Sequence, residues 1–265
     1  MVGQKAVGHA GTLDPLASGV LVLLLGNATR LSSLVMQSRK TYCAEIVLGA
    51  TTATDDGESP LLEMGDARPI RREEVERCLQ SFVGDIDQIP PRYAAVRQGG
   101  EKLYALARRG MDVEPQSRKV SVYALTLTHW QAPRMRLRIE CGSGTYVRSL
   151  ARDIGERLGV GGYLHALRRV ASGTITIDHC SRLDALTDGD AVAQGLYPMD
   201  WVLGDWPALV LRPDDLGPVR HGQAVPVGGA TGGRVRLYDA SGTLIALAEC
   251  SEGRVKPYRV FDGGH

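Results

Sequence analysis

Two runs of alternating polar and apolar residues constrain the fold of this chain most. Residues 120–130 (VSVYALTLTHW) and 135–141 (MRLRIEC) alternate with a period of two. This period is typical of β-strands that bury one face and leave the other in water. The two runs therefore predict a pair of adjacent antiparallel strands.

Further elements follow from the spacing of apolar residues. Residues 71–83 (RREEVERCLQSFV) carry apolar side chains at helical intervals behind charged positions, which predicts an amphipathic surface helix. The segment 53–66 is acidic and rich in turn formers, so we expect an exposed loop or hairpin. Additional helices are predicted at residues 29–37 and 146–158, and buried strands at residues 20–25 and 43–49.

The length and composition allow two domains. A chain of 265 residues with 43% hydrophobic content can build a main domain beside a small one. The segment 203–207 (LGDWP) has the character of a linker, and short strand-like runs separated by glycines follow it at residues 234–238 and 243–248. We therefore predict a main domain over residues 1–203 and a small β-rich domain over residues 207–265.

Charge and cysteine content exclude several classes of protein. Lys+Arg 31 nearly balances Asp+Glu 30, so any RNA binding requires local basic patches. The five cysteines are scattered, and no group of His, Cys and carboxylate residues has metal-ligand spacing, so no metal and no disulfide are predicted. The most apolar run, Val20–Leu25, is too short to span a bilayer, and the first residues lack a signal-peptide pattern. The predicted location is the cytoplasm.

The loop His9–Gly19 (HAGTLDPLASG) is the candidate catalytic segment, because it holds a carboxylate directly before a buried run. Asp14 precedes Pro15, which favours an extended conformation at Asp14. Gly11 and Gly19 allow another backbone or a ligand to approach closely. On these residues alone, the simpler interpretation is that Asp14 caps a turn.

The longer string VGHAGTLDPLASGVLVLLLGNATR resembles the catalytic motif of the TruB family of tRNA pseudouridine synthases. Three further blocks resemble that family: KTYCAEIVLGATTATDD from Lys40, IPPRYAAVRQGGEKLYALARRG from Ile89 and CGSGTYVRSLARDIGERLG from Cys141. The central block departs from the family at Ala95 and Arg97, where serine and lysine are more usual. The resemblance implies an α+β pseudouridine synthase fold with a mixed, mainly antiparallel central sheet, and an enzyme that needs no cofactor.

The resemblance also implies catalytic roles. Asp14 matches the family's nucleophile, and nucleophilic addition splits one difficult step into two easier ones. Arg148 matches the arginine that pairs with this aspartate, although taken alone it would be a solvated surface residue. Tyr42 matches the tyrosine that stacks on the target base and helps to remove the C5 proton. Without the resemblance, Tyr42 would be an aromatic residue at a strand edge.

Other matched positions imply contacts with the substrate. Tyr146 and Leu167 correspond to residues that line the uracil pocket, whereas Leu167 taken alone would be a core residue. His9 corresponds to a histidine that contacts the RNA near the flipped-out nucleotide. Alternatively, His9 has only a structural role in the loop.

Two features concern the ends of the chain. The tail from Arg212 is similar to the small PUA-type RNA-binding domain of bacterial family members, or is a β appendage that only caps the main domain. The sequence begins a few residues before His9, without the strand and helix with a DKPxGxTS-like block that precedes this loop in the family. Either the start codon has been placed too late or the protein lacks this segment. In the second case we expect an uncovered sheet edge near the active site.

The basic residues beside the motifs predict a phosphate-binding face, with affinity that falls as salt rises. They are Arg30, Arg39, Lys40, Arg108, Arg109, Arg118, Lys119, Arg168 and Arg169.

The main functional hypothesis is isomerisation of uridine to pseudouridine at position 55, in the T loop of tRNA, by a monomer. One alternative is an RNA-binding protein that helps tRNA to fold, with weak or lost catalysis. A second is the guide-RNA-dependent branch of archaea and eukaryotes. His9 and the C-terminal tail favour the bacterial branch, which uses no guide RNA.

Overall fold

The computed structural model describes residues 3–94, 96–98, 101–102, 109, 115–228 and 232–261. Ala95 and Arg108 lie outside the described residues. The strands are β1 (Val7–His9), β2 (Ala17–Gly19), β3 (Leu23–Leu25), β4 (Lys40–Leu48), β5 (Ala50–Thr52), β6 (Leu61–Met64), β7 (Gly84–Gln88), β8 (Arg97–Gln98), β9 (Glu101–Lys102), β10 (Arg118–Gln131), β11 (Arg134–Cys141), β12 (Gly162–Ser172), β13 (Ile175–Thr176), β14 (Ala208–Val210), β15 (Val225–Pro226), β16 (Gly233–Tyr238), β17 (Leu244–Ser251) and β18 (Arg254–Val260). The α-helices are α1 (Ser32–Gln37), α2 (Arg72–Gln80), α3 (Val147–Arg157), α4 (Gly189–Gln194) and α5 (Pro213–Arg220), with 3-10 turns at Gly26–Leu31, Ile177–His179, Leu183–Ala185 and Met199–Leu203.

The central sheet of seven strands has the order β13-β12-β4-β11-β10-β7, and β2 pairs with β12 beside this path. Every pairing along the path is antiparallel, whereas β2 runs parallel to β12. The predicted α+β class with a mixed, mainly antiparallel sheet is therefore confirmed.

The predicted strand pair lies within this sheet, between β4 and the edge strand β7. Strand β10 pairs with β11 from Val122↔Cys141 to Gln131↔Arg134. The side chains of β11 alternate between buried and exposed, as the period of two predicts. Helix α3 follows β11 and covers the buried face. The sequence did not predict strands β7 and β12 of this sheet. Strand β7 lies at one edge of the sheet, and β12 lies beside β4.

Helix α3 packs directly on the sheet through a fully buried core. Leu150 and Ile154 of the helix contact the same cluster as Ile46, Ile139 and Leu164 of the strands, all at 0% exposure. Burial of each such side chain contributes about 2 kcal/mol relative to exposure. This packing fixes the height of α3 above the strands, and with it the position of the residues at the start of the helix.

The apolar run at 20–25 differs from its prediction as a buried strand. Only Leu23–Leu25 is a strand, and it pairs with the short β1 in a separate two-stranded sheet. Val22 is buried, but Leu21 and Leu23 are 44% and 55% exposed. The run therefore has one face in water, because no layer of the described structure covers it.

The segment 53–66 forms a hairpin in part, since β6 pairs with β5. The prediction that the segment is exposed is wrong at Asp56, which is 2% exposed. Asp56 bridges to Leu164 of β12, so this turn lies against the central sheet.

The C-terminal sheet has the order β14-β16-β17-β18-β15 and its own core with α5. Leu244, Leu247 and Phe261 from this region share a second cluster with Val20 and Leu31. The C-terminal sheet therefore packs against the segment that follows the candidate loop. Across the described part of the chain, no helix combines the length and apolarity that crossing a membrane requires.

Candidate active site

The candidate loop is held at its C-terminal end by the sheet. Strand β2 pairs in parallel with β12, through Leu167↔Ala17 and Arg169↔Gly19. Gly19 has φ +100°, and a Cβ at this position would lie 2.1 Å from the Arg169 carbonyl oxygen. Only glycine permits this approach. At the start of β2, the Ala17 N–H donates to the Asp14 carbonyl at 2.9 Å, which closes a turn directly after Asp14.

Asp14 forms an ion pair with Arg148, the second residue of α3. Arg148 Nη2 donates to Asp14 Oδ1 at 2.8 Å. The Arg148 side chain is 6% exposed, whereas that of Asp14 is 26% exposed. The carboxylate thus has one side against a buried cation and another side open to solvent, an arrangement that leaves it accessible to a substrate.

A second carboxylate, Asp56, contacts the same arginine. Arg148 Nη1 lies 3.4 Å from Asp56 Oδ2 and donates to the Thr54 carbonyl at 3.2 Å. Asp56 also accepts from the Thr54 hydroxyl at 2.5 Å and from the Glu58 N–H at 3.1 Å. Arg148 is therefore fixed from behind by a buried, fully bonded carboxylate. Sequence reasoning missed Asp56, although it lies in the block KTYCAEIVLGATTATDD that was matched for Tyr42.

Asp14 and Arg148 line a cleft of about 980 Å³. Tyr42, Tyr146 and Leu167 line the same cleft, so five of the six residues singled out in the sequence come together. Burial raises the pKa of the Tyr42 hydroxyl above its usual value, with the Arg169 guanidinium opposing the shift. Burial likewise raises the pKa of Tyr146. Both tyrosines are therefore neutral phenols near pH 7.

Tyr146 is held through its backbone by Gln88, the fully buried last residue of β7. Gln88 Nε2 donates to the Tyr146 carbonyl at 3.1 Å, and the Tyr146 N–H donates to Gln88 Oε1 at 2.8 Å. This pair of bonds joins the edge strand to the start of α3. Gln88 is a second residue of the site that the sequence reading missed, and no local pattern distinguishes it from a surface glutamine.

His9 is the sixth residue, and the structure places it apart from the cleft. It is exposed on β1, where it pairs with Leu23, and it is not among the residues that line the cleft. Its position two residues before Gly11 puts it at the outer end of the loop.

A phosphate-binding face requires exposed basic side chains, and part of the predicted set meets this requirement. Arg30, Arg39, Arg109, Lys119 and Arg168 are exposed, and Arg118 is half-buried.

The prediction is wrong for Lys40 and Arg169, because these side chains are buried, at 5% and 1% exposure. Lys40 Nζ donates to the carbonyls of Val35 at 3.2 Å and Ser38 at 2.7 Å, and also to that of Met36, at the end of α1. Burial lowers the pKa of Lys40 to about 8. Arg169 donates to the carbonyls of Gly11, Thr12 and Val20, and neither side chain faces solvent.

The site combines a nucleophile-type carboxylate, a buried cation and two aromatic walls. Among the residues that the structure describes, no group of three or more His, Cys, Asp or Glu side chains could hold a metal ion. The arrangement is suited to covalent addition of a carboxylate to a planar, uncharged ring bound between aromatic and aliphatic side chains.

Comparison with known families assigns consecutive parts of the chain to one family. The description "TruB family pseudouridylate synthase (N terminal domain)" matches residues 1–147. The description "tRNA pseudouridylate synthase B C-terminal domain" matches residues 148–203, and "Pseudouridine synthase II TruB, C-terminal" matches residues 207–261.

Relatives named tRNA pseudouridine synthase B are similar over nearly the whole chain. The protein of Xanthomonas campestris pv. campestris (strain 8004) is 42% identical over 261 residues, which are 97% of this chain and 85% of the relative. That of Burkholderia mallei (strain NCTC 10247) is 42% identical over 274 residues, or 98% of this chain and 89% of the relative.

Solved structures share the fold at lower identity. The structure titled "Crystal Structure of a Cbf5-Nop10-Gar1 Complex" matches with a TM-score of 0.71 and 24% identity, over 98% of this chain and 77% of that chain. The structure of an H/ACA RNP bound to a substrate RNA matches with a TM-score of 0.70 and 23% identity, over the same shares. The fold agrees, the family descriptions follow one another from residue 1 to residue 261, and the relatives are similar throughout, so this chain belongs to the TruB family of pseudouridylate synthases.

Proposed function

We propose that this chain isomerises uridine to pseudouridine in the T loop of tRNA, at position 55, with Asp14 as the nucleophile. The observation that carries the proposal is the Asp14–Arg148 ion pair at the bottom of a cleft lined by Tyr42, Tyr146 and Leu167. The family membership and the names of the relatives support the reaction and the class of RNA.

The reaction breaks the bond between ribose C1′ and N1 of the base and forms a bond between C1′ and C5. The C5 proton leaves and N1 gains a proton, so the product has the same atoms and the same oxidation state as the substrate. A carboxylate that adds covalently, either to the base or to the sugar carbon, and a group that moves one proton supply this chemistry. No cofactor takes part in this scheme.

Each side chain of the cleft has a role in the proposal. The Asp14 carboxylate attacks, and Arg148 orients it through the 2.8 Å bond while Asp56 fixes the arginine from behind. Tyr42 stacks on the base, and its neutral hydroxyl helps to remove the C5 proton. Tyr146 and Leu167 form the opposite walls of the uracil pocket.

A base in a folded T loop reaches Asp14 only after it leaves its stack, so the mechanism includes base flipping. In this proposal His9, which is exposed on β1, contacts RNA beside the flipped nucleotide. The exposed residues Arg39, Lys119 and Arg168 would contact phosphates, and the C-terminal β-rich domain (207–265) would act as a PUA-type RNA-binding module. We propose that the chain acts as a monomer in the cytoplasm, without a guide RNA.

The test uses a T-arm stem-loop RNA and the same RNA with cytidine in place of the target uridine. The wild type should form pseudouridine in the first RNA only. Asp14→Asn should abolish turnover and still bind RNA, because asparagine keeps the size of the side chain but is not a nucleophile. The control is Asp184→Asn, whose carboxylate is 66% exposed and pairs only with Arg182 among the described ion pairs. It should retain full turnover.

Three results would count against the proposal or a part of it. A wild-type protein that binds the RNA without forming pseudouridine would support a tRNA-folding role in its place. Turnover that requires an added guide RNA and partner proteins would overturn the stand-alone mechanism. RNA affinity that stays flat between low and moderate salt would contradict the phosphate-binding face.

A further inference from the structure

Arg169 is a fully buried arginine that lies between the loop of Asp14 and the strand of Tyr42. It lies on β12, where its register partners are Gly19 of β2 on one side and Tyr42 of β4 on the other. Its exposed fraction is 1%, and it lines the same cleft as Asp14. This location places one charged side chain between the loop that carries the nucleophile and the tyrosine that faces the base.

The guanidinium of Arg169 binds both ends of the catalytic loop. Nε donates to the Val20 carbonyl at 2.7 Å. Nη2 donates to the Gly11 carbonyl at 3.1 Å, and Nη1 lies 3.4 Å from the Thr12 carbonyl. The backbone adds a fourth contact, since the Val20 N–H donates to the Arg169 carbonyl at 2.8 Å. The acceptors thus lie on both sides of Asp14 in the sequence, and one rigid group sets the distance between them.

Stability alone does not account for this residue. Burial of a cation costs several kcal/mol, and buried charges replaced by apolar side chains often leave a protein equally or more stable. Among the ion pairs of the described residues, none includes Arg169, and its guanidinium donates to backbone carbonyls. The planar fork of arginine provides several fixed donors for diverging acceptors, which a lysine does not.

Arg169 also acts on Tyr42. The positive charge of its guanidinium opposes the effect of burial on the pKa of the tyrosine, which is its register partner on β4. The same group therefore binds the loop of Asp14 and acts electrostatically on Tyr42, which are the two reacting elements of the proposed mechanism.

We propose that Arg169 is a positioning residue that fixes the backbone of residues 11–20, so that the Asp14 carboxylate is held at Arg148 and opposite Tyr42. The effect on turnover rests on the proposed function, whereas the effect on the loop does not. The two can therefore be measured separately.

The first measurement is hydrogen exchange of backbone amides in the wild type, Arg169→Met and Arg169→Lys. Methionine keeps an unbranched apolar stem and removes the donors, and lysine keeps the charge without the fork. In Arg169→Met, amides of residues 10–20 should exchange on the order of tenfold faster. Amides of α2 should exchange as in the wild type, which shows that the variant is folded.

The second measurement is the single-turnover rate at saturating T-arm RNA, together with the dissociation constant of that RNA. A displacement of a reacting group by about 1 Å costs about 10²-fold in rate. Arg169→Met should show a rate loss of about this size with little change in the dissociation constant, and Arg169→Lys should recover part of the rate. The control is Arg134→Met, which removes the ion pair between the exposed Arg134 of β11 and Glu45 of β4 and should change neither loop exchange nor turnover.

The outcomes separate the two proposals. Unchanged exchange at residues 10–20 in a folded Arg169→Met protein overturns the positioning role, whatever the activity. A wild type without pseudouridine formation refutes the proposed function, while the exchange result still decides the role of Arg169 in the loop. A loss that appears in the RNA dissociation constant and not in the rate would assign Arg169 to RNA binding and would also overturn the inference.

Discussion

Replacement of Arg148 by methionine should lower both stability and turnover, for two separable reasons. Arg148 bridges Asp14 and Asp56, and the Asp56 side chain is only 3% exposed. Without the arginine, Asp56 becomes a buried carboxylate that lacks its cation. Loss of one partner of a buried ion pair costs about 3 to 5 kcal/mol. For a chain of this size we expect the melting temperature to fall on the order of 10 °C.

A second substitution isolates the structural part of this loss. In the double variant Arg148→Met/Asp56→Asn, no uncompensated charge is left in the interior, so part of the lost stability should return. Turnover should stay as low as in Arg148→Met, because Asp14 still lacks its partner. Thermal melting monitored by circular dichroism measures the first quantity, and pseudouridine formation under single-turnover conditions measures the second.

The control for this pair of variants is Arg152→Met, about one turn further along α3. Arg152 forms ion pairs with Asp55 and Asp153 and does not contact Asp14. It should lose stability with a much smaller change in turnover. The reasoning is refuted if Arg148→Met melts like the wild type, or if the double variant regains turnover along with stability.

Three further predictions concern residues around the cleft. Gln88→Leu leaves the backbone of Tyr146 without two hydrogen bonds in a buried site, so urea unfolding should show a loss of about 1 to 3 kcal/mol, and an unchanged midpoint would contradict the contact. Gly19→Ala should yield little folded protein in a solubility and circular dichroism assay, because its Cβ would lie 2.1 Å from the Arg169 carbonyl oxygen; a wild-type melting curve would disprove the close approach. Native Lys40 loses its proton near pH 8, whereas unfolded lysine keeps it to about pH 10.5, so the native state binds fewer protons in this window. The stability of the wild type relative to Lys40→Met should therefore rise by about 1.4 kcal/mol per pH unit between pH 8 and 10, and a constant difference would refute the lowered pKa.

The regular elements of this fold could be predicted where the local pattern matches the burial. Strand β11 alternates in sequence and in exposure, and β10 does so except where its register shifts after Val122 and after Leu127. Helices α2 and α3 carry apolar residues at helical spacing. Strand β12 could not be predicted this way. Its register shifts between Leu164 and Ala166 and between Arg169 and Ala171, which breaks the period of two, and it carries Arg168 and Arg169 in succession.

The sequence predicted the site residues that lie in matched motifs. It did not predict the residues that hold them in position. Asp14, Arg148, Tyr42 and Tyr146 come from segments far apart in sequence, and only the resemblance indicated that they meet. Asp56 lies in a segment whose composition is typical of an exposed acidic turn, and its burial depends on the tertiary contact with Arg148. Sequence spacing contains no information about such a contact.

The large sequence separation within the active site has a consequence for the order of folding. Asp14 and Arg148 are 134 residues apart, and Arg169 and Val20 are 149 residues apart. Contacts that close such long loops carry a high entropic cost and form slowly compared with helices and hairpins. After dilution from denaturant, the helical signal should return before turnover does. Enzymatic activity is therefore a stricter reporter of the native chain topology than secondary structure or compactness.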